Sequence, residues 1–223
     1  RLDNGDQIYS TLKKHYPYFK LMIKKAPGAD YMVLLSKYPV LWQDSIPYGS
    51  SSNQSVAYML DIKGTNTLVV NNHFESNGLS SGDKEGFKTL VKGELKTGEA
   101  KRQSVHLITK LGNVSTRRAP QAETVARYVK KYLDKKVPVI LCGDFNDSPL
   151  SYTHRTIAKE LNDCFIESGN GPGISYHKSG MYFRIDHIFC SDDFESYGAK
   201  VDNSVTTSDH YPICCWLKYR PKP

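Results

Sequence analysis

Apolar residues fall in short runs punctuated by Gly, Pro, Asn and Asp, the pattern of strands between turns. YFKLMI and YMVLLS predict two strands around the turn KKAPGAD. SVAYMLDI (55–62) and NTLVVNNHF (66–74) flank KGT and predict a hairpin. VPVILC (137–142), FRIDHIFCS (183–191), AKVDNSV (199–205) and YPICCWLKY (211–219) supply further strands. In FRIDHIFCS, Ile185, His187 and Phe189 share one face, and Asp186, Ile188 and Cys190 the other.

The period changes elsewhere. DQIYSTLKKHY (6–16) is amphipathic at helical spacing and stops at Pro17. In APQAETVARYVKKYLDKK (119–136), Val125, Val129 and Leu133 recur at i, i+4 and i+8, with Pro120 suited to a first turn. SYTHRTIAKEL (151–161) predicts a short helix. Residues 76–118 are polar, Lys-rich and Gly-punctuated, with helical spacing in DKEGFKTLVKGEL and AKRQSVHLITKL, and predict a helical insertion. Many strands, some helices and no regular βαβ alternation predict α+β layers.

Length and composition narrow this picture. The 223 residues suffice for one sizeable core, and one domain over 1–223 is expected. No apolar run reaches the roughly 18 residues of a membrane span. The opening RLDNGDQIYS has neither an initiator Met nor a hydrophobic region, so upstream sequence is expected. A net charge of +7 suits polyanionic partners, phosphorylated substrates and nucleic acid among them. Five Cys without CxxC spacing argue against zinc, and their odd number argues against a complete disulfide framework. Four of them, at 142, 190, 214 and 215, sit in apolar runs as small buried thiols do.

Polar clusters end the strands: VVNNHFES (Asn71, Asn72, His73, Glu75), GDFNDSP (Asp144, Asn146, Asp147), FRIDHIF (Arg184, Asp186, His187) and TSDHYP (Ser208, Asp209, His210). Singly, each is a turn or a satisfied core group. Together they hold what metal-assisted phosphoester hydrolysis requires. A hard cation wants oxygen ligands, a water needs a carboxylate to orient and deprotonate it, and the phosphorus centre needs donors and positive charge.

These motifs, in this order from about Tyr18 to Leu217, resemble the endonuclease/exonuclease/phosphatase superfamily. NNHFES resembles its Asn-Thr-His strand, GDFND its Gly-Asp-Phe-Asn loop, RIDHIF its penultimate Asp strand and SDHYPI its Ser-Asp-His terminus. GDFNDSPLSYTHR together with YFRIDHIF is similar to Bacteroides-type bacterial members. The resemblance implies a four-layer α/β/β/α sandwich of two packed mixed β-sheets, deoxyribonuclease-like. It implies that Asp144 activates the water, Asn146 positions water and phosphate, and His73 contacts the phosphate. It further implies that Asp186 orients a catalytic imidazole, His210 stabilises the transition state and Asp209 binds the metal, Mg²⁺ or alternatively Mn²⁺. Arg184, Tyr182 and Asn71 are expected substrate contacts, and Glu75 and Asp147 lie further out. The family's opening Asn strand and its Gln-Glu strand, which carries the principal metal ligand, do not occur. They are expected before Arg1, so the chain reads as N-terminally truncated.

The expected activity is divalent-metal-dependent phosphoester hydrolysis with a lean towards a nuclease or phosphodiesterase. A phosphomonoesterase or lipid phosphodiesterase of the same fold is the alternative. The rival from another class is an inactive polyanion-binding module using the Lys-rich segment from Lys84 to Arg118. A binuclear metallophosphatase also matches Gly-Asp-x-x-Asp, but its Asp-x-His and Gly-Asn-His clusters are missing. The expected partner is a phosphate-ester substrate, nucleic acid among the candidates, with the chain a monomer without protein partners. Location is left open: bacterial relatives of this type can carry a hydrophobic tether upstream.

Overall fold

The computed structural model describes residues 5–24, 31–178 and 180–220. The elements run α1 (Gly5–His15), β1 (Tyr18–Ile23), β2 (Tyr31–Ser36), β3 (Val40–Ile46), β4 (Gln54–Ile62), β5 (Thr65–His73), α2 (Ser81–Val91) and α3 (Thr97–Leu133). They continue with β6 (Val139–Asp144), α4 (Tyr152–Ala158), β7 (Asn162–Asp163), α5 (Cys164–Ser168), β8 (Asp186–Cys190), β9 (Phe194–Val201) and β10 (Ile213–Tyr219). Residues 25–30, most of the turn expected between β1 and β2, lie outside the described residues.

A six-stranded mixed sheet, ordered β3-β4-β5-β6-β8-β7, carries the core. Alternation sorts its two faces. Ala57, Met59, Leu68, Val70, Val139, Leu141 and Phe189 meet Ala122, Val125 and Val129 of α3. Each such fully buried Val contributes about 1.5–3 kcal/mol over exposure. Val56, Tyr58 and Leu60 on the other face of β4 pack under the antiparallel ribbon β1–β2, against Met22, Met32 and Leu34. The ribbon β9–β10 covers Ile188 and Cys190 on that same side. The α+β sandwich with packed mixed sheets is thus present, its second layer made of two separate ribbons.

The β4–β5 hairpin turns through Lys63 and Gly64, at φ 54° and 86°. Both central residues at positive φ match the right-handed strand twist. Parallel β5 and β6 approach closely at Gly143, φ 139°, where an added Cβ would lie 1.9 Å from the Asn72 carbonyl oxygen.

Several sequence expectations are corrected. Pro120 does not open a helix: α3 runs unbroken from Thr97, and Pro120 lies inside it. Proline leaves the carbonyl four residues earlier without its amide donor; packing of the flanking turns keeps the helix continuous. Gly86 lets α2 sit so close that an added Cβ would meet Gln103 Nε2 at 2.0 Å. Buried Asp83, which closes a capping box with Ser80, binds His106 and Lys110 of α3. Beneath Pro120, Arg118 and Gln121 bond to the β5–α2 loop. The strand expected at 199–205 instead begins at Phe194 and ends at Val201. Cys214 is exposed, because β10 alternates and places it outward, and all five cysteines are free thiols. Strand β3, β7 and α5 were not expected. No helix among the described residues is long and apolar enough to cross a membrane.

Candidate active site

Adjacent strands bring the first groups together through register alone. His73 of β5 stands opposite Asp144 of β6, and Asp144 stands opposite Asp186 of β8. Matched positions project to the same face, so three separate polar clusters become neighbours. His73 Nε2 lies 3.5 Å from Asp144 Oδ2.

His210 arrives from a loop. A β-bridge pairs it with Tyr176, and the Tyr211 amide donates to the Ser175 carbonyl at 2.7 Å. Ser175 Oγ in turn accepts from the Ile185 and Asp186 amides at 3.2 and 3.1 Å. The segment is therefore tied to the start of β8, where His210 Nδ1 hydrogen-bonds Asp186 Oδ2 at 2.8 Å. His210 Nε2 then lies 4.0 Å from Asp144 Oδ2, with the Tyr176 ring edge-on at 5.1 Å.

Asn146 adopts φ 51°, a left-handed conformation that Asn tolerates. This bends the loop so that its amide donates to Asp144 Oδ1 at 2.7 Å. Its side-chain Nδ2 donates to Asp144 Oδ2 at 3.1 Å and to the Phe74 carbonyl at 3.2 Å. Asn146 thus grips the carboxylate and joins it to the end of β5.

Burial, and next the charge of Asp186, push the Asp144 carboxyl up to about 6, with His73, His210 and the Asn146 amide opposing. For His210, burial works downward. The bond to Asp186 and the charges of Asp144 and Asp209 outweigh it, so the imidazole is held above its usual value. The pair can therefore present a base and an imidazolium together near neutrality.

Ligand atoms of Asp144, Asp186 and His210 all lie within 4.8 Å of one another. This donor set fits a hard divalent cation: carboxylate oxygens predominate, and they crowd closely enough to repel each other, which a cation would relieve. Asp209 lines the same cavity but falls outside this set.

The structure thus brings His73, Asp144, Asn146, Asp186 and His210 together, with Asp209 at the rim. The expected substrate contacts Arg184, Tyr182 and Asn71 do not line the cavity beside this cluster. Arg184 stacks on Phe165 at 5.0 Å and pairs with Asp163 at 3.4 Å. Tyr182 is exposed, and Asn71 sits two residues upstream of His73 on the same face of β5; neither lines the cavity. Glu75 accepts from Ser50 Oγ at 2.8 Å, and Asp147 Oδ2 accepts from Thr153 Oγ1 at 3.0 Å.

Two supports lie beneath the site, and of their residues only His187 stood out in the sequence. Arg118 is 2% exposed; it donates to the Glu75 carbonyl and Asn77 Oδ1, and its Nε lies 3.4 Å from Asp147 Oδ2. Its signal was a cation on the apolar stripe of Ala122, Val125 and Val129. The second support is His154, Asp163 and His187, buried together on the helix side. Asp163 Oδ2 bonds His154 Nε2 at 2.7 Å while Oδ1 caps α5 through the Phe165 and Ile166 amides. Burial works to raise the Asp163 carboxyl, but His154 and Arg184 hold it well below the usual range. His187 Nε2 donates to the Asp147 carbonyl at 3.1 Å, which fixes its tautomer, and burial lowers its pKa. Scattered over the sequence, these three carry no spacing signature.

Fold and cluster define an α+β sandwich in which three paired central strands and one loop deliver acids and imidazoles to one mouth. The family model described as Endonuclease/Exonuclease/phosphatase family matches residues 2–210, and the chain belongs to that family. Solved structures share its fold. The human Nocturnin catalytic domain aligns at TM-score 0.63 and 14% identity, over 98% of this chain and 77% of that one. Beta toxin from Staphylococcus aureus aligns at 0.62 and 18%, over 96% and 82%. A mannosyl-6-phosphatase from Bacteroides thetaiotaomicron aligns at 0.59 and 16%, over 94% and 80%. No curated protein matches the chain by sequence.

Proposed function

We propose that the chain hydrolyses phosphoesters by single-step, in-line attack of water, with Mg²⁺ or Mn²⁺ as its cation. The observation that carries this reading is the convergence of His73, Asp144 and Asp186 on three paired strands with His210 bonded to Asp186. Family membership supports it, as does the likeness in fold to a mannosyl-6-phosphatase.

Asp144 takes a proton from the attacking water. Both amide contacts from Asn146 keep that carboxylate aimed. Asp186 fixes the His210 ring through Nδ1, so that Nε2 faces the phosphate and donates to an oxygen that gains charge. His73 donates from the opposite side. The cation, held by Asp144 and Asp186 with Asp209 at the rim, would supply neutralisation of phosphate charge. Among the described residues beside the cluster none is set up as a nucleophile: Ser208 Oγ bonds Asp209 Oδ1 and accepts from the His210 amide.

The test is hydrolysis of bis-p-nitrophenyl phosphate and p-nitrophenyl phosphate by the full-length protein with Mg²⁺ or Mn²⁺. Turnover that falls by about 10²–10⁴ in Asp144→Ala supports the reading. Unchanged turnover in that variant would overturn it.

A further inference from the structure

Beside the cluster lies a cavity of about 380 Å³. One end is His73, Asp144, Asn146, Asp209 and His210. Most of the rest is apolar: Leu79, Phe87, Leu107, Leu111, Met181 and Phe183 make its wall, interrupted by Ser76, Asn77, Lys84 and Tyr176. Phe87 and Phe183 meet at 6.0 Å, and Leu107 and Met181 are almost wholly buried. This wall is built largely by the insertion, with α2 and the first half of α3 locked together through Asp83.

Three of the four polar side chains in the wall, Lys84, Tyr176 and Asn77, are already engaged. Lys84 Nζ donates to Tyr176 Oη at 3.1 Å and sits 5.7 Å from its ring centroid. Asn77 donates to the Asn146 carbonyl and accepts from Arg118. A sugar hydroxyl or base edge entering here would lose water against a mostly apolar wall, with the Ser76 hydroxyl among the few polar groups in reach. A hydrocarbon group would lose nothing and remove apolar surface from water.

We propose that the cavity receives a compact hydrophobic group esterified to the phosphate, so that the substrate is a phosphoester of an apolar alcohol rather than a bare polynucleotide or sugar phosphate. This rests on the phosphoester reading of the adjoining cluster. The helices that wall the cavity, α2 and α3, also carry exposed apolar side chains: Val91, Val105 and Ile108 are 66%, 56% and 70% exposed. The apolar group can belong to a soluble aryl or alkyl ester or to a phospholipid, and the assay separates the two.

Binding is measured first, independently of turnover, by titrating the protein with benzylphosphonate and methylphosphonate. The expected result is tighter binding of benzylphosphonate, by about tenfold or more. Leu111→Trp, at a half-exposed position on the rim, fills the cavity without emptying the core and should erase that advantage while leaving methylphosphonate unchanged. Equal affinities in the native protein overturn the inference, as does an advantage that survives Leu111→Trp. Turnover is then compared for benzyl and methyl phosphate esters, whose alcohols have closely matched acidity, and for phosphatidylcholine vesicles. Preference for the benzyl ester assigns a soluble substrate, and preference for vesicles assigns a lipid. Tight benzylphosphonate binding with no hydrolysis of any ester would sink the hydrolase reading and leave the cavity's ligand class standing.

Discussion

Arg118→Met removes the buried guanidinium beneath the site while keeping an apolar stem of similar length. Four acceptors lose their donor or partner: the Glu75 carbonyl, Asn77 Oδ1, Ser115 Oγ and the Asp147 carboxylate. Breaking a buried ion pair from one side costs about 3–5 kcal/mol. Asp147 is partly exposed and retains Thr153 Oγ1 and the Ser148 amide, so the lower figure applies. With a urea slope of about 3 kcal/mol per molar for a chain of this size, the unfolding midpoint should fall by about 1 M. The adjacent Arg117→Met is the control. Its side chain is 71% exposed and meets Glu75 at 3.8 Å, a surface pair that contributes about 0–1 kcal/mol. Urea denaturation followed by far-ultraviolet circular dichroism reads both. Equal midpoints for the two variants would refute the claim that Arg118 anchors the β5–α2 loop to the Asp144 loop.

Gly143→Ala would drive a Cβ into the Asn72 backbone and should destabilise by about 3 kcal/mol or more; Gly49→Ala, with nothing within 4 Å, should melt like the parent in a thermal scan. The Asp83 carboxyl is held low by Lys110 first, then by Ser80 and His106. A depressed carboxylate stabilises fully above its unfolded value near 3.8 and loses that contribution as pH falls below it. Asp83→Asn should therefore destabilise at pH 7 and flatten the acid limb of stability against pH; an unaltered limb would remove Asp83 from the account. Asp186→Asn takes away the partner that raises His210. Because His210 acts protonated, the basic limb of kcat/KM should move to lower pH, whereas a limb left in place would mean that His210 does not set it.

What sequence reveals here is local. The apolar runs of β4, β5, β6 and β10 were visible because alternation and turn residues are written within each segment. The polar strand ends were visible for the same reason: His73, Asp144, Asn146, Asp186 and His210 interrupt hydrophobic runs. Strand β3 was not, because Gln43, Asp44 and Ser45 follow Trp42 and blur its period. Helix α3 was split at Pro120 because a proline's local preference is legible, whereas the contacts of Arg118, Gln121 and Asp83 that override it are tertiary. Arg184 carried the right charge near the right motif, yet it turns to Asp163, a partner 21 positions away that no pattern announces. The apolar cavity wall was hidden for a related reason. Leu79, Phe87, Leu107 and Met181 read as ordinary core positions, and only the packing of α2 on α3 leaves space between them and the cluster.

The stereochemical course at phosphorus tests the central claim most directly. A phosphorothioate diester made chiral at phosphorus is hydrolysed by the full-length protein in ¹⁸O-labelled water under single-turnover conditions. Direct attack by the water that Asp144 holds predicts one ¹⁸O on phosphorus and inverted configuration. Retained configuration, or a phosphorylated side chain caught on quenching, would contradict it.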